Sequence, residues 1–414
     1  MKVLLYSLNY APEIIGIGKY SGELGDWLVE NGHEVRVVCS PPYYPEWQLG
    51  EGYRRSWQYR REIRNGVKLF RCPLFVPKNP GMLSRLLHLL SFAMSSLPVI
   101  LRQVTWKPDV VMLVEPTFFC VPATLLLSKL TGAKSLLHIQ DFELDAMFGS
   151  GLAKFKWQLA FCYAVESFFM RCFESISSIS RSMLVKAGEK SKYSVPLYLF
   201  HNWVDTDFIS PDVDTDLFRQ RWGLSETIQV VLYSGNLGKK QGLDILIQAA
   251  KLLADEQDVL FLILGDGVER LKLMDQTQQL KLGNIRFDSL QSYDDLPALM
   301  ALADVHLVVQ KRNVADAVLP SKLTTILSAG GYALITAEAE TELGLLCEQF
   351  PGIAVRVEPE SLEEFVTALR QMLIATRVNR QEFNCIARQY AVEHLHKQNV
   401  LQKFEEMLVD LISK

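Results

Sequence analysis

The chain has 414 residues and a mass of 47.0 kDa, room for two or three domains at roughly 150 residues each. Apolar residues make up 49% and charged residues 22%, inside the ordinary globular range of about 45–50% and about 25%, which excludes a disordered or fibrous chain. The net charge of −4 hides an asymmetry: residues 1–200 carry 23 Lys and Arg against 16 Asp and Glu, and residues 201–414 carry 20 against 31, so the two halves face different partners.

Short aliphatic runs recur along the chain, each followed by a helically spaced segment and by Gly or Pro. In the first half the spacing predicts strands at 3–8, 34–40, 67–71, 109–114, 134–139, 175–179 and 197–200. The long apolar stretch 82–104 is broken by Arg85, His88, Pro98 and Arg102, which predicts a helix that lies on a membrane and does not cross it. In the second half strands are predicted at 229–234, 259–264, 284–287, 305–309, 333–335 and 352–355, followed only by helices at 361–375, 380–393 and 397–412. Strand-helix alternation of this kind makes parallel sheets with crossover helices. The expected organisation is α/β, with one domain over 1–200, a polar hinge at 201–211, a second domain over 212–394, and a last helix at 395–414 that packs back on the first.

In open α/β sheets ligands bind beyond the carboxyl ends of the strands, and four loops there carry candidate chemistry. After the first strand, Gly16 and Gly18 would let backbone N–H groups approach an anion at a helix start. Gly235, Asn236, Lys239, Lys240 and Gln241 stand between a strand and a helix, a setting suited to a diphosphate, and Gly265 repeats the strand-then-glycine pattern one unit later. Pro320, Ser321, Lys322 and Leu323 open another helix, where the N–H groups of Ser321 and Leu323 with the Lys322 ammonium form a second anion site. His138 ends a buried-looking strand and reads either as a group facing ligand or as a satisfied core histidine. Asp141 either holds an acceptor hydroxyl or caps the next helix.

Other classes fit less well. The glycines read G-x-G-x-x-x-G from Gly16 to Gly22, and the second strand ends in Cys39 and Ser40 without an acid to hold a ribose, which argues against a dehydrogenase. The seven cysteines hold no C-x-x-C pair, so neither a disulfide framework nor structural zinc is expected. The D-x-D patterns at Asp205/Asp207, Asp212/Asp214 and Asp214/Asp216 lack calcium-loop spacing, so no metal is expected. The N-terminal segment turns polar too early for a signal-peptide core, so the expected location is cytoplasmic. The basic run Arg54, Arg55, Arg60, Arg61, Arg64, Lys68 and Arg71, with Trp57 and Tyr59 beside the apolar stretch, fits an anionic membrane surface better than nucleic acid.

In order and spacing, Asn9-Tyr10-Ala11-Pro12-Glu13, Pro42-Tyr43-Tyr44-Pro45 with Trp47, His138-Ile139-Gln140-Asp141, Asn202-Trp203-Val204-Asp205, Ser234-Gly235-Asn236-Leu237-Gly238 and Leu319-Pro320-Ser321-Lys322-Leu323 resemble the retaining glycosyltransferases of family 4, nearest to the colanic-acid fucosyltransferase and N-acetylfucosaminyltransferase type. The resemblance covers essentially the whole chain. It implies the GT-B fold, two doubly wound Rossmann-like domains facing across a cleft, with a nucleotide sugar held mainly by the second domain and a lipid-linked or glycan acceptor by the first. It implies catalytic roles for His138, Lys240 and Lys322, with no cofactor and no metal. Donor contacts are implied for Gly16, Gly18, Gly235, Asn236, Gln241, Gly265, Asp316, Ser321, Leu323 and Thr325, and acceptor contacts for Tyr44, Trp47 and Asp141. Asn236 and Gln241 replace the family's usual Arg and Lys, and Ala317 and Thr325 stand where it has paired glutamates. These departures leave a non-catalytic sugar-nucleotide-binding protein, or an epimerase on the same scaffold, as the rival reading.

Overall fold

The structure is a computed structural model and describes residues 1–53, 57–78, 81–142, 144–145, 156–312, 319–378 and 382–413. It divides into two compact units, Met1–His201 with Leu401–Lys414, and Asn202–Val400.

In the first unit, β1 (Lys2–Ser7), α1 (Gly16–Glu30), β2 (Glu34–Cys39), β3 (Arg60–Arg64) and β4 (Val67–Arg71) precede α2 (Met82–Arg102) and β5 (Val110–Glu115). There follow α3 (Val121–Thr131), β6 (Lys134–Ile139), α4 (Lys156–Met170), β7 (Ser175–Ser178), α5 (Arg181–Ser191) and β8 (Leu197–Leu199). The eight strands form one sheet in the order β3-β4-β2-β1-β5-β6-β7-β8. Only β3 runs antiparallel, paired with β4. Central strands are buried on both faces, as all six residues of β5 are, which is why they read as continuous apolar runs.

The β3–β4 hairpin departs from the sequence expectation, which saw β4 alone. Its turn is Asn65-Gly66, with both residues at positive φ (46° and 81°), the conformation that a two-residue hairpin favours. The β3 sequence Arg-Arg-Glu-Ile-Arg is charged because it forms the sheet edge, where exposed charge discourages pairing with another chain.

In the second unit, α6 (Asp216–Arg221), β9 (Gln229–Ser234), α7 (Asp244–Leu252), β10 (Val259–Leu264), α8 (Arg270–Gln279) and β11 (Ile285–Asp288) come first. Next are α9 (Leu296–Leu302), β12 (Val305–Val308), α10 (Ser321–Ser328), β13 (Ala333–Thr336), α11 (Glu342–Gln349) and β14 (Val355–Val357). The sheet order is β11-β10-β9-β12-β13-β14, with every pair parallel. The strand order reverses between β9 and β12, the switch point where such sheets bind ligands. One apolar cluster covers each face of the sheet, around Leu232 and Leu264 on one side and Val231 and Phe261 on the other.

After α12 (Leu362–Val378) and α13 (Cys385–Tyr390), the last helix, α14 (Lys397–Ser413), joins the first unit from Leu401 onward. There Phe404 stacks on Phe200, with centroids 3.7 Å apart and planes at 9°, and Glu405 meets His33 at 2.5 Å. The segment expected to be a polar hinge holds buried residues. Trp203, Val204, Thr206 and Ile209 are buried, and Val204 exchanges backbone hydrogen bonds with the residues around His396, accepting from Lys397 and donating to Leu395. The apolar members of this stretch complete the second unit's core, which composition averaged over a short polar segment conceals.

Truncating Phe404 to Ala should destabilise the protein by about 3–5 kcal/mol, the usual cost of emptying a buried phenylalanine site; denaturant unfolding measures it.

Candidate functional site

The loops after β9 and β10 are locked together. The backbone pairing of the two strands continues beyond their ends: the Gly235 N–H donates to the Leu264 carbonyl at 2.9 Å and the Leu237 N–H to the Asp266 carbonyl at 2.8 Å. At this separation a Cβ on Gly265 would overlap the Gly235 carbonyl oxygen, and one on Gly267 would overlap that of Leu237. Gly265 also sits at φ 152°, so glycine is required there twice over, and Gly235, at φ 147°, is favoured by its backbone conformation.

Tyr233, the penultimate residue of β9, is fully buried. Its hydroxyl donates to the Asn236 carbonyl at 2.9 Å and accepts from the Lys322 ammonium at 3.2 Å. Burial pushes its phenol pKa well above the usual tyrosine value, so it stays neutral. The Lys322 Nζ lies 4.3 Å from the Tyr233 ring centroid, a cation–π placement, and 3.6 Å from where a Gly235 Cβ would stand. Tyr233 thus brings Lys322 to the Gly235–Asn236 turn, against which the strand pairing holds Gly265, a role the sequence reading missed. It read as an ordinary strand tyrosine.

Around the next turn, the Gln241 Oε1 lies beside Gly238 and is buried without a hydrogen-bond partner among the described residues. Lys240 and Lys239 are exposed. The Lys240 carbonyl accepts from the Lys311 N–H at 3.1 Å, and the Lys311 side chain packs where a Gly242 Cβ would be. Lys311, just past β12, is a fourth cation of this loop cluster that sequence spacing left unmarked, because it joins the β9 loop only through the fold.

The start of α10 offers less than expected. The Leu323 N–H donates to the Pro320 carbonyl at 2.8 Å and its side chain is buried, so it is not an open donor, because the first turn closes on Pro320. Thr325 donates its hydroxyl to the Ser321 carbonyl at 3.1 Å, so its proton is spent within the helix. Ser321 is exposed. Asp316 and Ala317 lie outside the described residues. The D-x-D acids serve local turns: Asp205 accepts from the N–H groups of Asp207 and Phe208, and Asp214 from that of Asp216.

In the first unit, Gly16 is exposed at the start of α1, at φ 59°, whereas Gly18 is buried. A Cβ on Gly18 would overlap the Glu13 carboxylate, which accepts from Asn9 Nδ2 at 2.9 Å and from the N–H groups of Tyr43 and Tyr44 at 3.0 and 3.1 Å. Gly18 therefore makes room for a carboxylate, and the anion role expected of it does not follow. Tyr44 is half exposed beside Gly16, and the Trp47 ring meets Tyr43 edge-on at 5.6 Å and the buried His88 at a tilt at 5.3 Å.

His138 is in the core. It is 2% exposed, its Nδ1 meets the Ser177 hydroxyl at 2.9 Å, and its Nε2 accepts from the Gln140 side-chain amide at 3.0 Å. Burial pushes its pKa down to about 3. Of the two readings of His138, the satisfied core histidine fits this setting: a neutral ring, with both nitrogens engaged, beside Gln140 and next to the exposed Asp141.

A glycosyltransferase 4-like domain matches residues 16–196 and the glycosyl transferases group 1 domain matches 214–389. The chain is 51% identical over 411 residues to the Escherichia coli (strain K12) protein named for colanic acid biosynthesis, the glycosyl transferase WcaI, covering 98% of each chain. Among solved structures, sucrose-phosphate synthase from Thermosynechococcus elongatus superposes with a TM-score of 0.73 at 13% identity, covering 100% of this chain and 99% of that one. Anabaena Alr3699/HepE in complex with UDP gives 0.70 at 14%, covering 99% and 100%. Fold and domains define a GT-B glycosyltransferase. The chain belongs to the glycosyltransferases of family 4.

Two measurements probe this geometry. Gly265→Ala should lower stability by several kcal/mol, the scale of a severe backbone clash, as read by thermal unfolding. The His138 ring should show no titration step by NMR between about pH 5 and 8, where an unperturbed histidine titrates near 6.5. Because the unfolded chain binds a proton that the buried ring refuses, His138 should cost stability progressively as pH falls below about 6.5.

Proposed function

We propose that the chain moves a hexose-type sugar, fucose or a related deoxyhexose, from a GDP or UDP sugar to a membrane-held, lipid-linked acceptor in exopolysaccharide biosynthesis of the colanic acid kind. The colanic acid context is supported by the named relative that matches along the chain, and the nucleotide sugar by the neighbour titled as a complex with UDP. In this reading the protein works on the cytoplasmic face of the membrane.

The observation that carries the reading is the Lys322 ammonium held by Tyr233 over the bare Gly235 backbone. As the bond between the anomeric carbon and the diphosphate oxygen breaks, negative charge develops on the leaving group and positive charge on the sugar ring. A preorganised ammonium stabilises that developing charge without reorganising. Lys322, with Lys240 and the loop amides, takes this role, and no metal is needed in the proposed step. The acceptor oxygen attacks the same face of the anomeric carbon, its proton passes to the departing diphosphate, and configuration is retained. Gln241, whose buried oxygen has no hydrogen-bond partner among the described residues, is set to accept a hydrogen bond from the sugar nucleotide.

Replacing both Lys240 and Lys322 with Ala should cut kcat by orders of magnitude at about 2.7–4 kcal/mol for each group lost. The assay is transfer from radiolabelled GDP- or UDP-sugar to a membrane extract, with donors ranked first by the thermal shift that a native-state ligand produces. Near-normal turnover in the double variant would overturn the leaving-group role.

A further inference from the structure

The first unit carries a basic cavity beside an exposed apolar helix face, and neither takes part in the loop cluster described above. The cavity measures about 690 Å³ and lies between the β3–β4 hairpin and the end of α2. Its lining includes Arg36, Arg60, Arg61, Lys68, Arg71 and Arg102, with Glu62 as the one carboxylate. Arg71 is buried and spent on Glu62 at 2.9 Å, and Lys68 and Arg36 approach Glu34 at 3.3 and 3.8 Å. Arg60, Arg61 and Arg102 form no ion pair among the described residues, and the buried Arg36 Nε has no hydrogen-bond partner among them. Several guanidinium groups facing one hollow repel each other unless an anion joins them.

Beside it runs α2. The segment Leu83–Thr105 has a mean hydropathy of 1.4, and by length and composition alone it could cross a membrane. Its packing decides otherwise for the folded unit: Phe92, Ser96 and Ile100 are fully buried, with Phe92 against Tyr6 of β1 at 5.8 Å. The opposite face is apolar too, and open. Leu83, Leu87, Met94, Leu97 and Leu101 are 70, 57, 75, 40 and 38% exposed, and their spacing puts them in one stripe. Arg102 lies about a quarter-turn from that stripe at 100° per residue, on the side where the Tyr59 hydroxyl reaches the Ser95 carbonyl at 2.9 Å. Ile63 on β3, 76% exposed, adds an apolar rim to the cavity.

From this juxtaposition we infer that the cavity seats the phosphate headgroup of an anionic membrane phospholipid while the α2 stripe lies in the acyl boundary. A helix buried on one side and apolar on the other needs a covering, and the unpaired arginines at its flank choose an anionic one: a guanidinium fork matches a phosphate, and the stripe supplies the apolar contact of an interfacial helix. The inference rests on the proposed membrane-held acceptor and names the surface that brings the enzyme to it.

Flotation of the full-length protein with phosphatidylcholine vesicles, with and without phosphatidylglycerol, is the test. The wild type should float with the anionic vesicles and lose that binding at high salt. R61A/R102A should weaken it by about fivefold per charge, on the order of 25-fold together, with an unchanged melting temperature, since both side chains are exposed and form no ion pair among the described residues. K251A/K403A, removing two exposed lysines elsewhere, should bind as the wild type does. L87Q/M94Q should weaken binding to anionic vesicles without altering its salt dependence. If R61A/R102A floats like the wild type, or if K251A/K403A is weakened equally, the headgroup site is overturned while membrane association stands. If the wild type floats with no vesicle, the membrane reading itself fails.

Discussion

The close approach of two backbones past the ends of β9 and β10 is the constraint on which the loop cluster depends. Parallel strands usually part at their carboxyl ends; here Gly235 and Leu237 prolong the ladder, and only glycine at 265 and 267 fits the resulting gap. The prolonged ladder fixes the Asn236 carbonyl, that carbonyl orients the Tyr233 hydroxyl, and the hydroxyl holds Lys322 over Gly235. A cation positioned through such a chain of backbone contacts is preorganised: its place is settled by folding, so no binding energy is spent arranging it.

The parallel sheets were legible because strands buried on both faces become short aliphatic runs between helical patterns, and most predicted strands lie within a few residues of those observed. The glycine-rich loops after β9 and β10 were legible for a related reason: strand-then-glycine spacing has few other uses. Legibility failed where a residue's meaning depends on a partner far along the chain. Lys311 meets the β9 loop across 71 residues of sequence, through the Lys240 carbonyl. Gly18 looked like an anion-loop glycine because spacing shows a missing side chain but not what fills the space, here Glu13. His138 could be read two ways, and its partners Ser177 and Gln140 decide for the core. The edge strand β3 escaped notice because its charges suit an edge and break the apolar alternation that marks inner strands.

The uneven charge of the two halves acquires a physical meaning in the fold. The basic surplus of residues 1–200 is concentrated in part on the β3–β4 hairpin and the end of α2, where arginines outnumber their carboxylate partners. The second unit places Lys239, Lys240 and Lys311 on the loops after β9 and β12, amid an acidic background. Similar folds in the two units therefore carry opposite electrostatic surroundings, one suited to an extended anionic surface and the other to a small, localised anion.

The return of the C-terminal helix has a consequence for how the molecule is made. Because residues from Leu401 onward complete the unit begun by Met1, the second unit is in effect an insertion, and both ends of the polypeptide belong to the same body. On the ribosome, the Phe200 ring is synthesised about two hundred residues before the Phe404 ring that covers it. At a synthesis rate of roughly 5–20 residues per second, the first unit must wait some tens of seconds, partly uncovered, while the second forms. Chaperone demand during translation should therefore centre on the N-terminal body, although it is the first to emerge.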